Sequence, residues 1–196
     1  WRGYDDRFEI VNKKEIQTVK FSDFMKINKI ECIDYLRLMV QGQGFDILKD
    51  LDENNFRKIN LISMTVEFIQ IYRNQGIFSD IIKLLSINGF KIVNFEKNTT
   101  ERISNPKKRK INKLIWSDIL FIKDFTKHND KKEEDIYKMA ILLSSLNFEE
   151  EAIFLLRENK IDKKIINFFI KIHISQRGII EKLNLILKKI KIKFSL

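Results

Sequence analysis

The sequence predicts an α/β fold, a mostly parallel β-sheet flanked by helices and followed by an α-helical C-terminal extension. Three observations carry this. Apolar runs of strand length alternate with single helical stretches between Ile33 and Phe95, the arrangement that joins parallel strands by crossovers. Proline occurs once and glycine six times in 196 residues, too few turn formers for a sandwich of many short strands. Beyond Lys132 the apolar spacing is wholly helical,.

The elements follow in order. Ile16, Val19 and Phe21 suggest a short strand over Glu15 to Phe21, after which Ser22 is placed to cap a helix running to about Lys26,. Ile33 to Val40 is apolar at nearly every position except Asp34 and Arg37, as in a strand covered on both faces. Gly42 and Gly44 break it, and Phe45, Leu48 and Leu51 then fall at helical spacing. Ile59 to Phe68 is a second long apolar run rich in β-branched residues,. Ile81, Ile82, Leu84 and Leu85 make a helix of Ser79 to Asn88, ended by Gly89,. Phe90 to Phe95 and Leu114 to Phe121 read as strands; with no helix between them, they are expected to be antiparallel neighbours. Lys107 to Lys110, just after Asn105-Pro106, reads as a polar loop,.

In the extension, Ile136, Ala140, Leu143 and Leu146 form one stripe and Ala152, Ile153, Leu155 and Leu156 another, with a turn near Asn147,. Through Ala140, Leu143, Phe148 and Ala152 this pair resembles a single hairpin of the tetratricopeptide type,. Two further helices are expected over Ile165 to Ile172 and Ile179 to Phe194. The boundary is placed so that residues 1–127 form the sheet domain and 128–196 the helical extension. Packing of the extension on the sheet is the expectation; a face for a protein partner or a membrane surface is the alternative.

Composition narrows the function classes. The hydrophobic share of 44% supports one sizeable core,. Cys32 is the single cysteine, so no internal disulfide forms and a reducing, cytoplasmic setting is expected. No apolar run reaches the about eighteen residues of a membrane span, and the start at Trp1 suggests a fragment. The net charge is +10, with ten Lys or Arg against two acids between Lys160 and Leu196. Lysine-rich helix faces are solvated by default, so no specific nucleic-acid partner is expected. No zinc spacing, Walker loop or metal site is present, and His128 and His173 read as surface or packed residues. Gly42-x-Gly44 follows a strand, but Ile47 stands where a dinucleotide turn needs its third glycine,.

In an open α/β sheet, ligands collect beyond the carboxyl ends of the strands. That rule puts Met39, Val40, Gln41 and Gly42 at the rim, Glu67 at the next rim position, and Tyr72 to Phe78 in an overhanging loop. Asp118, at the entry to its strand, is assigned to structure away from the rim. The wording of these segments carries a resemblance. Ile33 to Gly42, Phe45-Asp46-Ile47-Leu48-Lys49, Val66-Glu67-Phe68, Tyr72, Gln75-Gly76, Phe78 and Asn88-Gly89-Phe90 resemble the second half of an FkbM-type S-adenosylmethionine (SAM) methyltransferase. The likeness begins at Phe8-Glu9-Ile10-Val11, continues through Thr18-Val19 and Phe21 to Phe24, and ends at Trp116 to Ile122.

The resemblance implies a Rossmann-like sheet and a SAM-dependent O-methyltransferase acting on a hydroxyl of a sugar, glycolipid or secondary metabolite. Met39, Gln41 and Gly42 would then lie beside the cofactor, Glu67 would be the base that takes the hydroxyl proton, and Tyr72 and Gln75 would line the acceptor pocket. The glycine turn and ribose-binding acid of such enzymes would fall before Trp1, so the chain alone is expected to be inactive. The family usually carries acids where this chain has Ser22, Met39, Gly44 and often Thr65. Two alternative readings follow: a degenerate methyltransferase-like scaffold, or a basic helical tail that binds nucleic acid or anionic membrane.

Overall fold

In a computed structural model, the described residues are 11–95, 98–102, 111–125 and 132–171, with 98–102 and 111–113 described in backbone only. The elements are α1 (Phe21–Ile27), β1 (Ile33–Leu38), α2 (Gly44–Lys49), α3 (Glu53–Arg57), β2 (Ile59–Glu67) and α4 (Phe78–Ile87). They continue with β3 (Phe90–Phe95), β4 (Asn98–Arg102), β5 (Ile111–Lys123), α5 (Glu133–Ser145) and α6 (Glu149–Glu158). Residues 163–171 are also helical. The sequence reading of Lys107 to Lys110 and Ile179 to Phe194 lies outside the described residues.

The five strands form one sheet in the order β1-β2-β5-β3, with β4 also paired to β5. A mostly parallel sheet is only partly what forms. β1 and β2 pair in parallel, whereas β5 runs antiparallel to β2, β3 and β4. The three strands followed or preceded by crossover helices do share one direction. The chain leaves β3 without a helix, and such a return can only be made antiparallel at short range. It inserts β5 between β2 and β3.

The expected strand over Glu15 to Phe21 does not form. Residues 11–20 take no regular structure and stand exposed, and helix α1 begins at Phe21. The spacing of Ile16, Val19 and Phe21 breaks strict alternation, and among the described residues no strand pairs with this segment. Nor does Ser22 cap the helix. It sits in the first turn, where its Oγ donates to Asp50 Oδ2 at 3.0 Å while Lys20 Nζ pairs with Asp50 Oδ1 at 2.8 Å. β1 is likewise not covered on both faces, since Asp34 and Arg37 are exposed.

Both crossovers step across the sheet in the same direction, and with a common hand of connection their helices fall on one face. There Leu48, Phe56, Ile81 and Leu85 bury against Ile62, Met64 and Val66 of β2. The alternate residue Leu61 points to the opposite face, where with Leu120 it packs beneath Met139, Ala140, Leu143 and Ala152 of the α5–α6 hairpin. Asn147 takes a positive φ of 65° in the turn between those helices.

Lys123 closes the end of the sheet away from the rim. It is 3% exposed, its Nζ donates to Asn88 O at 2.7 Å and Phe56 O at 3.3 Å, and it lies 4.6 Å from the Phe90 ring centroid. Those carbonyls belong to the ends of α3 and α4, where a cation also meets the negative ends of the helix dipoles. Replacing Lys123 with Met keeps the stem but leaves the carbonyls without this donor, and should lower stability by about 2 kcal/mol or more. Urea denaturation of the two proteins measures it; an unchanged midpoint would show that the clamp contributes nothing.

Candidate functional site

The carboxyl ends of β1 and β2 meet at a turn and a loop. Past Leu38 the chain reverses through Val40 to Gln43, closed by Gln43 N donating to Val40 O at 3.2 Å. Both central residues have positive φ, 47° at Gln41 and 85° at Gly42. Glycine adopts that conformation freely, but Gln41 is held in it at a cost of order 1 kcal/mol. The constraint is visible in its side chain, whose Oε1 accepts from Tyr72 Oη at 3.1 Å.

The loop after β2 folds over this turn. Gln75 Oε1 accepts from Ile71 N at 2.9 Å and Tyr72 N at 3.0 Å, which shapes the loop from within. Gly76 lies against Phe45, where any Cβ would overlap the ring. Phe68, Phe78 and Phe95 bring together the exits of β2 and β3 and the start of α4. The rings of Phe68 and Phe78 stack at 4.8 Å and Phe68 meets Phe95 at 5.5 Å, each contact adding to the burial of apolar area.

Glu67 ends β2 beneath the loop and is 6% exposed. Burial pushes its carboxyl above the usual glutamate range, an effect only partly opposed by its own backbone N–H and by the nearby Gln75 amide,. The Gln75 nitrogen is itself buried and makes no well-formed hydrogen bond among the described residues.

Gln41, Gly42, Glu67, Tyr72 and Gln75 are therefore brought to one rim. The room beside Gly42 is already filled, because a Cβ there would lie 2.5 Å from Tyr72 Cδ2 and 3.0 Å from Gln75 Nε2. Met39 is separate, 59% exposed, and lines a cavity on the hairpin face of the sheet with Arg37 and Asp118. Asp118 corrects the sequence reading, which put it away from the rim. Since β5 is antiparallel, its entry lies beside the exit of β2, and Asp118 pairs with Thr65. Thr65 Oγ1 donates to Asp118 Oδ1 at 2.6 Å. The antiparallel pairing of β5 with β3 that the sequence predicts does form, but the insertion of β5 beside β2, which brings Asp118 to Thr65, carries no local sequence signal.

For a SAM molecule the described rim offers Gln41, whose side chain is held by Tyr72, and not Met39, which lines the hairpin-face cavity. It does not supply a grip: the Gly42 face is occupied by Tyr72, and the Glu67 carboxyl is buried under the loop. Among the described residues no cluster of three His, Cys, Asp or Glu is placed to hold a metal, and no helix is long and apolar enough to cross a membrane.

Two substitutions test this geometry. Gly42→Ala should destabilise by about 1 to 3 kcal/mol, from its positive φ and the displaced Tyr72 ring; chemical denaturation reads the change. A raised carboxyl value in the native state stabilises the fold fully below the ordinary glutamate value, and that contribution is lost as pH rises through the native value. Glu67→Gln removes the loss. Its melting temperature relative to the parent protein should therefore climb as pH rises above the ordinary glutamate value, and a flat difference would contradict the burial effect.

Residues 3–92 match the family model described as the methyltransferase FkbM domain. The matched span contains the whole rim and ends within β3, before β5 and Asp118. No curated protein and no solved structure matches the chain.

Proposed function

We propose that this chain contributes the acceptor side of a SAM-dependent O-methyltransferase acting on a hydroxyl of a sugar, glycolipid or secondary metabolite. The observation that carries the proposal is the FkbM match over residues 3–92, whose span holds every rim residue gathered at the ends of β1 and β2. In this reading Tyr72 and Gln75 form the roof over the acceptor. Gln41 faces the cofactor, and Gly42 permits the roof to close on the turn. Glu67 is the candidate base, since a carboxyl value raised by burial favours holding a proton taken from a hydroxyl,. The rim by itself does not grip the cofactor, so no step of methyl transfer is assigned to it.

A scaffold reading has one observation in its favour. Met39 stands exposed just past β1, where FkbM proteins usually carry an acid, and a thioether neither orients a cation nor takes a proton. The alternative of a basic helical tail that contacts nucleic acid or anionic membrane rests on Lys160 to Leu196, of which residues up to 171 are described.

Calorimetric titration of SAM and its demethylated product, into this chain and into any longer polypeptide that contains it, separates the readings. Saturable binding to either protein supports the methyltransferase, and Glu67→Gln should then leave that binding intact while abolishing turnover of the acceptor. Absence of binding to both proteins, with each shown folded by circular dichroism, would sink the enzyme reading in favour of the scaffold.

A further inference from the structure

The hairpin face of the sheet changes character along its strands. Toward the amino end of β2 it presents Leu61, opposite Ile122 of β5, and both pack beneath α5 and α6. Toward the carboxyl end, residues of the same face are Arg37 on β1, Ser63 and Thr65 on β2, Asp118 on β5 and Asn94 on β3. Past the hairpin the face is open to water: Arg37 is exposed and Ser63, Thr65, Asn94 and Asp118 are half-buried, so these polar groups keep a solvated side from which a ligand reaches them. Only Thr65 and Asp118 satisfy each other. Arg37, Ser63 and Asn94 have no side-chain partner among the described residues, and no ion pair reaches Arg37.

These groups surround a cavity of about 240 Å3. Its wall is closed by Leu146 and Phe148 of the turn between α5 and α6, and Tyr35 and Met39 complete the β1 side. The volume equals roughly eight waters at liquid density and falls just below the range of drug-sized pockets, which starts at about 300 Å3. It suits a molecule the size of one sugar ring or a short polyol.

The charges are arranged across the cavity. Arg37 and Asp118 are on β1 and β5, with β2 between them and two residues of offset along it, a separation of roughly 12 Å at ordinary strand spacing and rise. A guanidinium without an ion pair presents a fork of donors suited to a carboxylate or phosphate. Asp118 has one oxygen engaged by Thr65 and the other left to accept from a hydroxyl, while Ser63 and Asn94 both donate and accept. The apolar sides of Leu146 and Phe148 suit the carbon face of a ring.

We infer that this cavity binds a small hydroxylated anion, its carboxylate or phosphate on Arg37 and its hydroxyls on Asp118, Ser63 and Asn94. The site stands on the cavity alone, whether or not the neighbouring rim takes a methyl donor.

The test is calorimetric titration of the chain with glucose 6-phosphate and gluconate, against inorganic phosphate and neutral glucose as controls. The two hydroxylated anions should bind at least about tenfold more tightly than either control, since each control lacks one of the two charge-assisted contacts. Arg37 is exposed, so Arg37→Gln should leave the melting temperature unchanged while weakening both anions about ten- to a hundredfold. Ser63→Leu, which fills the cavity floor, should abolish binding by the folded variant. No saturable heat at millimolar ligand overturns the site. So does inorganic phosphate binding as well as the sugar phosphate, or binding that Arg37→Gln leaves untouched, because a chain of net charge +10 attracts anions elsewhere,. None of these readouts depends on SAM, so failure of the methyltransferase reading and failure of this one are separate results.

Discussion

The insertion of antiparallel β5 between β2 and β3 is the constraint on which the rest of the structure depends. Its thirteen residues pair with three strands, so its removal would leave β1–β2 and β3 without a common partner. A single direction of travel also fixes both ends of the sheet. Entering at the carboxyl ends of its neighbours, β5 delivers Asp118 beside Thr65; leaving at their amino ends, it delivers Lys123 beneath α3 and α4. Asp124 continues the tie, its N–H donating to Gly89 O at 2.8 Å and its carboxylate pairing with Lys91 at 2.8 Å. Burying an ammonium costs several kcal/mol unless its protons find acceptors, and two helix ends placed side by side provide them. The clamp therefore exists because the helices end where they do, and it holds those ends in place.

The two faces of the sheet are covered in different ways. On one, helices belonging to the crossovers are positioned by the strands they connect. On the other, cover comes from a hairpin contributed by a later part of the chain, and its size sets how much of the face is buried. α5 and α6 have thirteen and ten residues, about 20 and 15 Å at helical rise, and their turn reaches the middle of the strands. Past that turn the face cannot be sealed by the hairpin, and there the strand residues become Arg37, Ser63, Thr65 and Asp118. The polarity of the strands and the reach of the hairpin thus agree. β1 has no strand on its outer side among the described residues, and its exposed Asp34 and Arg37 are charges of the kind that blunt an open edge,.

How much could be read from residues alone follows from which forces are local. The strands at Ile33, Ile59 and Phe90 and the helix ended by Gly89 were legible because burial imposes a period on their sequences. So was the α5–α6 hairpin, whose stripes at Ala140, Leu143, Ala152 and Leu156 are the buried ones. Short elements were less legible. α3 is five residues long and depends on Asp52 accepting from Asn55 N at 2.7 Å, a cap without an apolar period behind it. β4 carries Asn-Thr-Thr-Glu-Arg and exists through its pairing with β5. The strand expected at Glu15 failed for the opposite reason: a few apolar residues in broken alternation, without a described neighbour to pair with, form nothing. The antiparallel direction of the last strand was legible from the missing crossover helix, but its insertion beside β2 was not, and the placement of Asp118 failed with that. The rim was different, because Gln41, Gly42, Tyr72 and Gln75 lie close in sequence to strand ends that period alone reveals.

The rim and the cavity divide the polar chemistry of the carboxyl ends. At the rim, hydrogen-bonding capacity is largely spent within the protein: Gln75 organises the loop, Tyr72 engages Gln41, and the Glu67 carboxyl is pressed beneath them toward its protonated form. Such a network fixes shape, because each group is oriented by another and a change in one is transmitted to its neighbours. In the cavity, most capacity is unspent, and the groups are spread over four strands whose separations are set by the sheet. Spacing enforced by backbone pairing is more rigid than spacing enforced by side chains, so a ligand there would meet donors already in place and lose little to their ordering. The strand face therefore meets a ligand with donors already in place, and the loop meets one with a roof whose shape is fixed by its hold on the strained turn after β1.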